Sequence, residues 1–380
     1  MAAYSNVRCL LLIFLLASAN SLAQRPETSG RAVQKVALRE VSTVAVPSLP
    51  AESIGPPLLC DAEGRTLFRM AMPDTGLEDP VSVSKDGKTV VRFGKEKVND
   101  ISRPQLLSTF LFGSDAYILT SGSVPLGHET KWRAPSGEVG SQPAMQSSRY
   151  IAHFDHDGNY MGAVHLDLPF QPLHLGVFDD GDFLIAGMEP STGEPRVAIV
   201  GSNGQFRRYI ELKGDVHLQD ESDAPNKRND LTALPRYRPS QTHGESLFDV
   251  VSLSQIAKDG PNLLLFRPFN GPVFSISAAG QVEVHKLGAE GDYRLFTIKP
   301  TSSAWIVELI REIPSHGAAE EFMTLAFDPQ TDSPLREYFF PADLGWGLAC
   351  TDGNEFTFVM ADTESRNLKL VTLAPASGSN

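Results

Sequence analysis

The feature that most constrains this chain is a pair of interleaved hairpin signatures that recur along almost its whole length. The first runs apolar strand, polar turn, aromatic-rich strand. It appears as "LLCDAEGRTLFRM" (58–70), "LLSTFLFGSDAYILTSG" (106–122), "LHLGVFDDGDFLIAGM" (173–188), "FDVVSLSQIAKDGPNLLLFRP" (248–268), "YRLFTIKPTSSAWIVELI" (293–310) and "GLACTDGNEFTFVMAD" (347–362). The second lies between copies of the first: "VSVSKDGKTVVRFG" (81–94), "YIAHFDHDGNYMGAVHL" (150–166), "VAIVGSNGQFRRYIEL" (197–212), "VFSISAAGQVEVHKL" (273–287) and "MTLAFDPQTDSPLREYFF" (323–340). Period-2 alternation bounded by Gly, Asp and Asn turns marks strands, and helical periodicity is almost absent. The chain is all-β.

Two hairpins per repeat make a four-stranded unit, and four-stranded units arranged around a ring make a β-propeller. The last unit is one strand short, with only "NLKLVTLAP" (367–375) after its inner hairpin. A spare strand stands at the other end, "AVQKVALREVSTVAV" (32–46). The expectation is a six-bladed β-propeller over 32–375 whose last blade is completed by the N-terminal strand, which removes an exposed sheet edge. Seven blades is the rival count. "FDDGDFLIAG" and "TDGNEFTFVMAD" resemble the inner hairpins of the six-bladed β-propeller superfamily that includes the NHL-repeat and TolB-like proteins. That resemblance implies a ring of blades around a channel and a binding or catalytic role at its mouth.

"FDHDGNYMGAVHL" (154–166) alternates Asp155, Asp157 and Asn159 around Gly158, as calcium loops do. Its glycine stands fourth rather than sixth from Asp155, and it aligns with sister turns at Asn203-Gly204 and Ala279-Gly280, so it reads as a hairpin turn. Insertions at 121–148 and 214–246 are either functional covers or poorly ordered segments, and their Pro, Ser and charge make lack of order the default expectation.

The first residues, "MAAYSNVRCLLLIFLLASANSLAQ", place Arg8 before an apolar run and Ser21-Leu22-Ala23 at cleavage spacing. They read as a signal peptide, 1–23, cut near Ala23-Gln24, which predicts a secreted or periplasmic protein. Residues 24–31 and 376–380 read as flexible ends, and no segment is long and apolar enough to span a membrane. A net charge of −13 and a pI near 5.2 argue against nucleic-acid partners.

No Gly-x-Ser-x-Gly, His-Glu-x-x-His, Cys-x-x-Cys or Gly-x-Gly-x-x-Gly pattern occurs, and no cofactor or metal is called for. Asp179, Asp180 and Asp182 read as the solvated tip of a turn. His174, Asp249, Arg294 and Trp346 fall near the entries of the inner strands of the third to sixth units. Arg offers forked hydrogen bonds and Trp a stacking face, so these four are the candidate site for a small-molecule, glycan or protein ligand. Cys60 and Cys350 end inner strands of units that neighbour each other in a closed ring. Equivalent side chains related by rotation point the same way around the ring, which opposes a disulfide; a one-residue register slip would reverse that. The reading is a monomeric binding or interaction module, with a propeller hydrolase, lactonase or lyase as the alternative.

Overall fold

In the computed structural model, residues 33–50, 54–71, 78–102, 104–133, 137, 139–192, 194–212, 254–268, 272–287, 293–313, 319–340, 344, 347–362, 365 and 367–376 are described. The 214–246 insertion, Asp249 and Trp346 lie outside them, as do residues 1–32. Lys35–Asn380 form one compact unit.

Four consecutive stretches each fold into a four-stranded antiparallel sheet in chain order. The first sheet is β2 (Ile54–Cys60), β3 (Thr66–Ala71), β4 (Glu78–Val83) and β5 (Val90–Arg92). The second is β6 (Gln105–Phe112), β7 (Asp115–Arg133), β8 (Val139–Phe154) and β9 (Tyr160–Leu166). The third is β10 (Gln171–Val177), β11 (Phe183–Met188), β12 (Pro195–Val200) and β13 (Phe206–Tyr209). The fourth is β14 (Gln255–Asp259), β15 (Asn262–Phe266), β16 (Val273–Ile276) and β17 (Val282–His285).

The rest forms one eight-stranded sheet. Its strands are β1 (Gln34–Pro50), β18 (Arg294–Pro300), β19 (Trp305–Ile313), β20 (Ala319–Asp328), β21 (Ser333–Phe339), β22 (Leu348–Asp352), β23 (Glu355–Ala361) and β24 (Asn367–Pro375). The order is β18-β19-β20-β21-β1-β24-β23-β22, so the N-terminal strand lies between β21 and β24. It pairs antiparallel with β24, from Leu38 opposite Pro375 to Pro50 opposite Asn367. The first strands of successive sheets pack in sequence, β22 on β2, β2 on β6, β6 on β10, β10 on β14 and β14 on β18. This is a propeller-like arrangement.

The core lies in the seams between sheets. Strand side chains alternate faces, so an inner strand buried on both sides reads as a nearly unbroken apolar run. "FLIAGM" of β11 shows it, with Phe183 to Gly187 all buried. Leu264, Phe266 and Val273 of the fourth sheet meet Ile298, Val307 and Phe327 of the next, and Leu58, Phe68 and Val81 of the first sheet meet Ala349, Val359 and Leu370.

The outer turns add a second, repeated contact. The turn containing Gly87 docks on Val44 and Ala45 of β1, and the turn containing Gly204 docks on Val164 and His165 of β9. Asp332 in the β20–β21 turn does the same on the fourth sheet, accepting hydrogen bonds from His285 Nδ1 (2.8 Å) and the Lys286 amide (3.1 Å). "FDHDGNYMGAVHL" belongs to this set. Asp155 Oδ1 accepts from the amides of Asp157 and Asn159, and Lys97 donates to the Gly158 carbonyl, so the loop is a docked hairpin turn.

Two expectations are corrected. Residues 122–133 and 139–148 are a two-stranded ribbon, because β7 and β8 stay paired from Gly122–Ser148 out to Arg133–Val139. Strand pairing satisfies the backbone of a segment whose composition alone suggests a loop. Asp182 is buried rather than solvated: its carboxylate pairs with Arg207 and accepts from the Ser202 amide, while Asp179 pairs with Lys258 of β14.

Turn docking can be separated from backbone strain. Gly204 has φ +83° and a Cβ there would sit 1.9 Å from the His165 carbonyl oxygen, whereas Gly113 has φ +63° and open space. Gly113→Ala is expected to cost about 1 kcal/mol. Gly204→Ala is expected to cost about 3 kcal/mol because the turn must also leave its seat. Denaturant melts of both variants check this; equal losses would mean the docking contributes nothing.

Candidate functional site

The bulges of the inner hairpins place the candidate residues. In the second, third and eight-stranded sheets the first strand slips register near its entry, between Leu106 and Ser108, Pro172 and His174, and Leu295 and Thr297. A bulge adds a residue and re-aims the side chains beyond it. His174 is the first ladder residue after its bulge, opposite Ala186; Arg294 precedes the bulge of its strand, opposite Ile310. Both are half-buried on inner strands, and β14 stands between those strands, so the two do not adjoin along the ring.

Counting from the bulge exposes residues that the sequence reading missed. The first pair after it is Ser108–Leu119 in the second sheet and His174–Ala186 in the third, but Thr297–Glu308 on β18 and β19. A carboxylate thus occupies a seam position that its sisters fill with Leu, Ala or, after the Leu348–Cys350 slip of β22, Thr357. Glu308 is fully buried, and its next ladder neighbour, Thr324 of β20, is buried too. Neither carboxylate oxygen of Glu308 has a hydrogen-bond partner, nor does Thr324 Oγ1. Lys299, two residues beyond Thr297, shares their face. Its ammonium donates to the Leu58 carbonyl of β2, across the entrance to β22. The signal was present in "FTIKPTSSAWIVELI", where Glu308 interrupts the apolar run from Trp305 to Ile310.

This polar set faces the β22–β24 strands. The same face carries Ile306, Ala326 and Tyr338, which pack against Leu348, Phe356 and Phe358. The seam is closed at its outer edge, where β21 and β1 adjoin. Among the described residues, β18 and β22 touch less than the other successive inner strands do, and the polar side chains form a wedge in the seam. The Lys299 side chain is half-buried. Burial pushes Glu308 up to about 8, and the nearby Lys299 charge only partly offsets it. Burial likewise lowers Lys299 to about 8 against the opposing pull of Glu308. An unpartnered buried carboxylate is held in its neutral form until mildly alkaline pH.

Cys60 and Cys350 come together, with Cα atoms 5.0 Å apart and sulfurs in bonding contact. The hairpins are offset. Cys60 is one residue from the Asp61–Arg65 end of its hairpin, and Cys350 is two from Asp352–Glu355, so Leu59, not Cys60, matches Cys350. Adjacent residues face opposite ways: Leu59 packs toward the second sheet and Cys60 toward Ala349 and Val359. The one-residue slip turns the two thiols toward each other.

Two grooves lie away from this wedge, on outer strands. One, of about 460 Å³, is lined by Arg196, Tyr209 and Leu212 among others, with the Arg196 guanidinium over the Tyr209 ring. The other follows the seat of the Gly204 turn, between His165 and Asn203. Among the described residues, no group of three or more His, Cys, Asp or Glu side chains converges as metal ligands would, and no helix is long and apolar enough to cross a membrane.

Replacing Glu308 tests its burial. A group with a raised folded pKa stabilises below its unfolded pKa, and that contribution is lost as pH rises toward the folded value. Wild type should therefore lose stability relative to Glu308→Gln between pH 5 and pH 8. Thermal melts across that window are expected to show the Tm gap moving steadily in the variant's favour; a constant gap would mean that Glu308 ionises freely.

No described protein family matches the chain, and no curated protein sequence does. Solved structures align with it at low identity. Virginiamycin B lyase from Staphylococcus aureus aligns over 89% of this chain and 99% of its own, at 10% identity and a TM-score of 0.40. A member of the DUF4221 family from Bacteroides vulgatus aligns over 89% and 97%, at 9% identity and a TM-score of 0.46. An alpha-L-arabinofuranosidase from Lactobacillus brevis aligns over 79% and 99%, at 9% identity and a TM-score of 0.37.

Proposed function

We propose that this chain is an exported, monomeric six-bladed β-propeller that acts as a binding or interaction module, secreted or periplasmic after cleavage near Ala23-Gln24. The blade count draws on the eight-stranded sheet, which divides at the β21–β1 contact into β18–β21 and β1 with β22–β24. With the four separate sheets these make six four-stranded units. A Cys60–Cys350 disulfide then staples the closing seam, which suits an oxidising compartment.

The observation that carries the binding role is the β7–β8 ribbon. Beyond Ser123, whose amide donates to the Ser102 carbonyl, and Arg149, its two strands pair only with each other among the described residues, so no further strand lies on either outer edge there. Val124, Leu126 and Val139 are exposed on it, three of the eight exposed large apolar side chains among the described residues. Open edges beside apolar side chains suit an extended protein segment that adds as a further strand. An enzyme reading, a hydrolase, lactonase or lyase, draws on the polar wedge at Lys299 and Glu308.

Two measurements test this. The intact mass of the exported protein is expected to match a chain starting at Gln24, two protons below the reduced mass and unmodified by alkylation without reductant. A retained leader or two alkylated thiols would overturn export or the staple. For the ribbon, a photo-crosslinking residue at Leu126 is expected to give discrete higher-mass adducts in producing cells, and one at Lys88 on the first sheet none. Equal adducts at both positions, or at neither, would sink the binding role.

A further inference from the structure

The wedge between β18 and β22 holds two groups that a structural role leaves unexplained. A buried ion pair kept for structure satisfies its charges with hydrogen bonds, because desolvation otherwise outweighs the attraction. Glu308 has none, and Lys299 spends its ammonium on a neutral backbone carbonyl rather than a carboxylate. A carbonyl acceptor takes an N–H from the ammonium or from the neutral amine, so this contact does little to hold the proton on Lys299.

The geometry points to Lys299 as an amine nucleophile that takes a small aldehyde or ketone as an imine, with Glu308 placed to carry the protons. Three features support it. Lys299 is half-buried, not sealed off as Glu308 is. Glu308 is its diagonal neighbour, since Lys299 stands opposite Ile306 and Glu308 opposite Thr297. Such pairs sit roughly 7–8 Å apart at the backbone, within reach of two long side chains. The same burial that lowers Lys299 leaves a usable fraction of free amine near neutral pH and keeps Glu308 protonated as an acid.

The step balances without an added oxidant or reductant. The Lys299 nitrogen lone pair forms the C–N bond as the carbonyl π pair moves to oxygen; Glu308 protonates that oxygen and takes one proton from the nitrogen, giving a neutral carbinolamine. A proton from Glu308 then lets the hydroxyl leave as water as the C–N double bond forms, and the proton released by nitrogen returns to the carboxylate. The products are an imine on Lys299 and one water. Thr297 and Thr324 flank Glu308 and offer hydroxyls for that water.

The test uses the whole exported protein with propanal as the probe and cyanoborohydride to trap any imine, followed by peptide mass mapping between pH 6 and pH 9. Lys88, whose side chain is 82% exposed, serves as the internal reference for an ordinary surface amine. Lys299 is expected to be alkylated several-fold faster than Lys88 at neutral pH, with its rate levelling above about pH 8 while that of Lys88 keeps rising. Glu308→Gln is expected to slow labelling of Lys299 roughly tenfold or more without changing Lys88, and Glu308→Asp to restore part of it. Circular dichroism of each variant confirms the fold. Lys299 unlabelled, or labelled no faster than Lys88 in the folded wild type, would overturn the assignment; an unchanged rate in folded Glu308→Gln would remove Glu308 from the step.

Discussion

The ladder between β1 and β24 is the pairing on which the rest depends. Every other blade-like unit is built from hairpins, whose strands meet across short turns and cost little loop entropy. β1 must wait for residues more than three hundred positions later before it can pair. Until then the outer edge of β24 is open, and the Gly87 turn has no strand to sit on, since its seat is Val44 and Ala45 of β1. The Cys60–Cys350 contact lies at the same closing seam, 290 residues apart in sequence. One long-range ladder thus turns a row of local sheets into a closed arrangement, and the side chains that reinforce it gather where it closes.

Once the arrangement is closed, the seams carry the energy and the irregularities carry the chemistry. Most seams are filled by Leu, Val, Ile and Phe stacked face to face between sheets. The seam bounded by β18 and β22 differs in its polar set, Thr297, Lys299, Glu308 and Thr324, which stands where other seams carry mostly apolar side chains. A carboxylate in such a seam is unfavourable unless something offsets it. That cost is why this position, rather than the solvated turns with their many Asp residues, distinguishes the molecule. Several turn aspartates are engaged instead: Asp155 by its own hairpin, Asp182 by Arg207, Asp332 by His285.

Much of this was legible before any coordinates. Alternation and turn chemistry are local, so the hairpins, their pairing into four-stranded units and the N-terminal closing strand could be read from residue order. The assignment of "FDHDGNYMGAVHL" to a turn rested on the same logic. The ribbon was not legible, because "SGSVPLGHETKWRAPSGEVGSQPAMQSS" has loop composition and becomes strand only through the partner it finds across the hairpin. Bulges were invisible as well. A single extra residue at Leu107, Leu173 or Phe296 leaves the apolar pattern intact while changing which residue faces the next sheet.

The sequence by itself therefore determined the class of fold, the repeat and the strand that closes it, because those follow from period, turn residues and one unpaired segment. Only the tertiary structure decided which side chains meet. It turned Cys60 toward Cys350, buried Asp182, set His174 and Arg294 on separate inner strands and brought Lys299 beside Glu308. The physical reason is that side-chain direction in a strand reverses with every residue, so a register shift of one, which costs the pattern almost nothing, decides every contact across a seam.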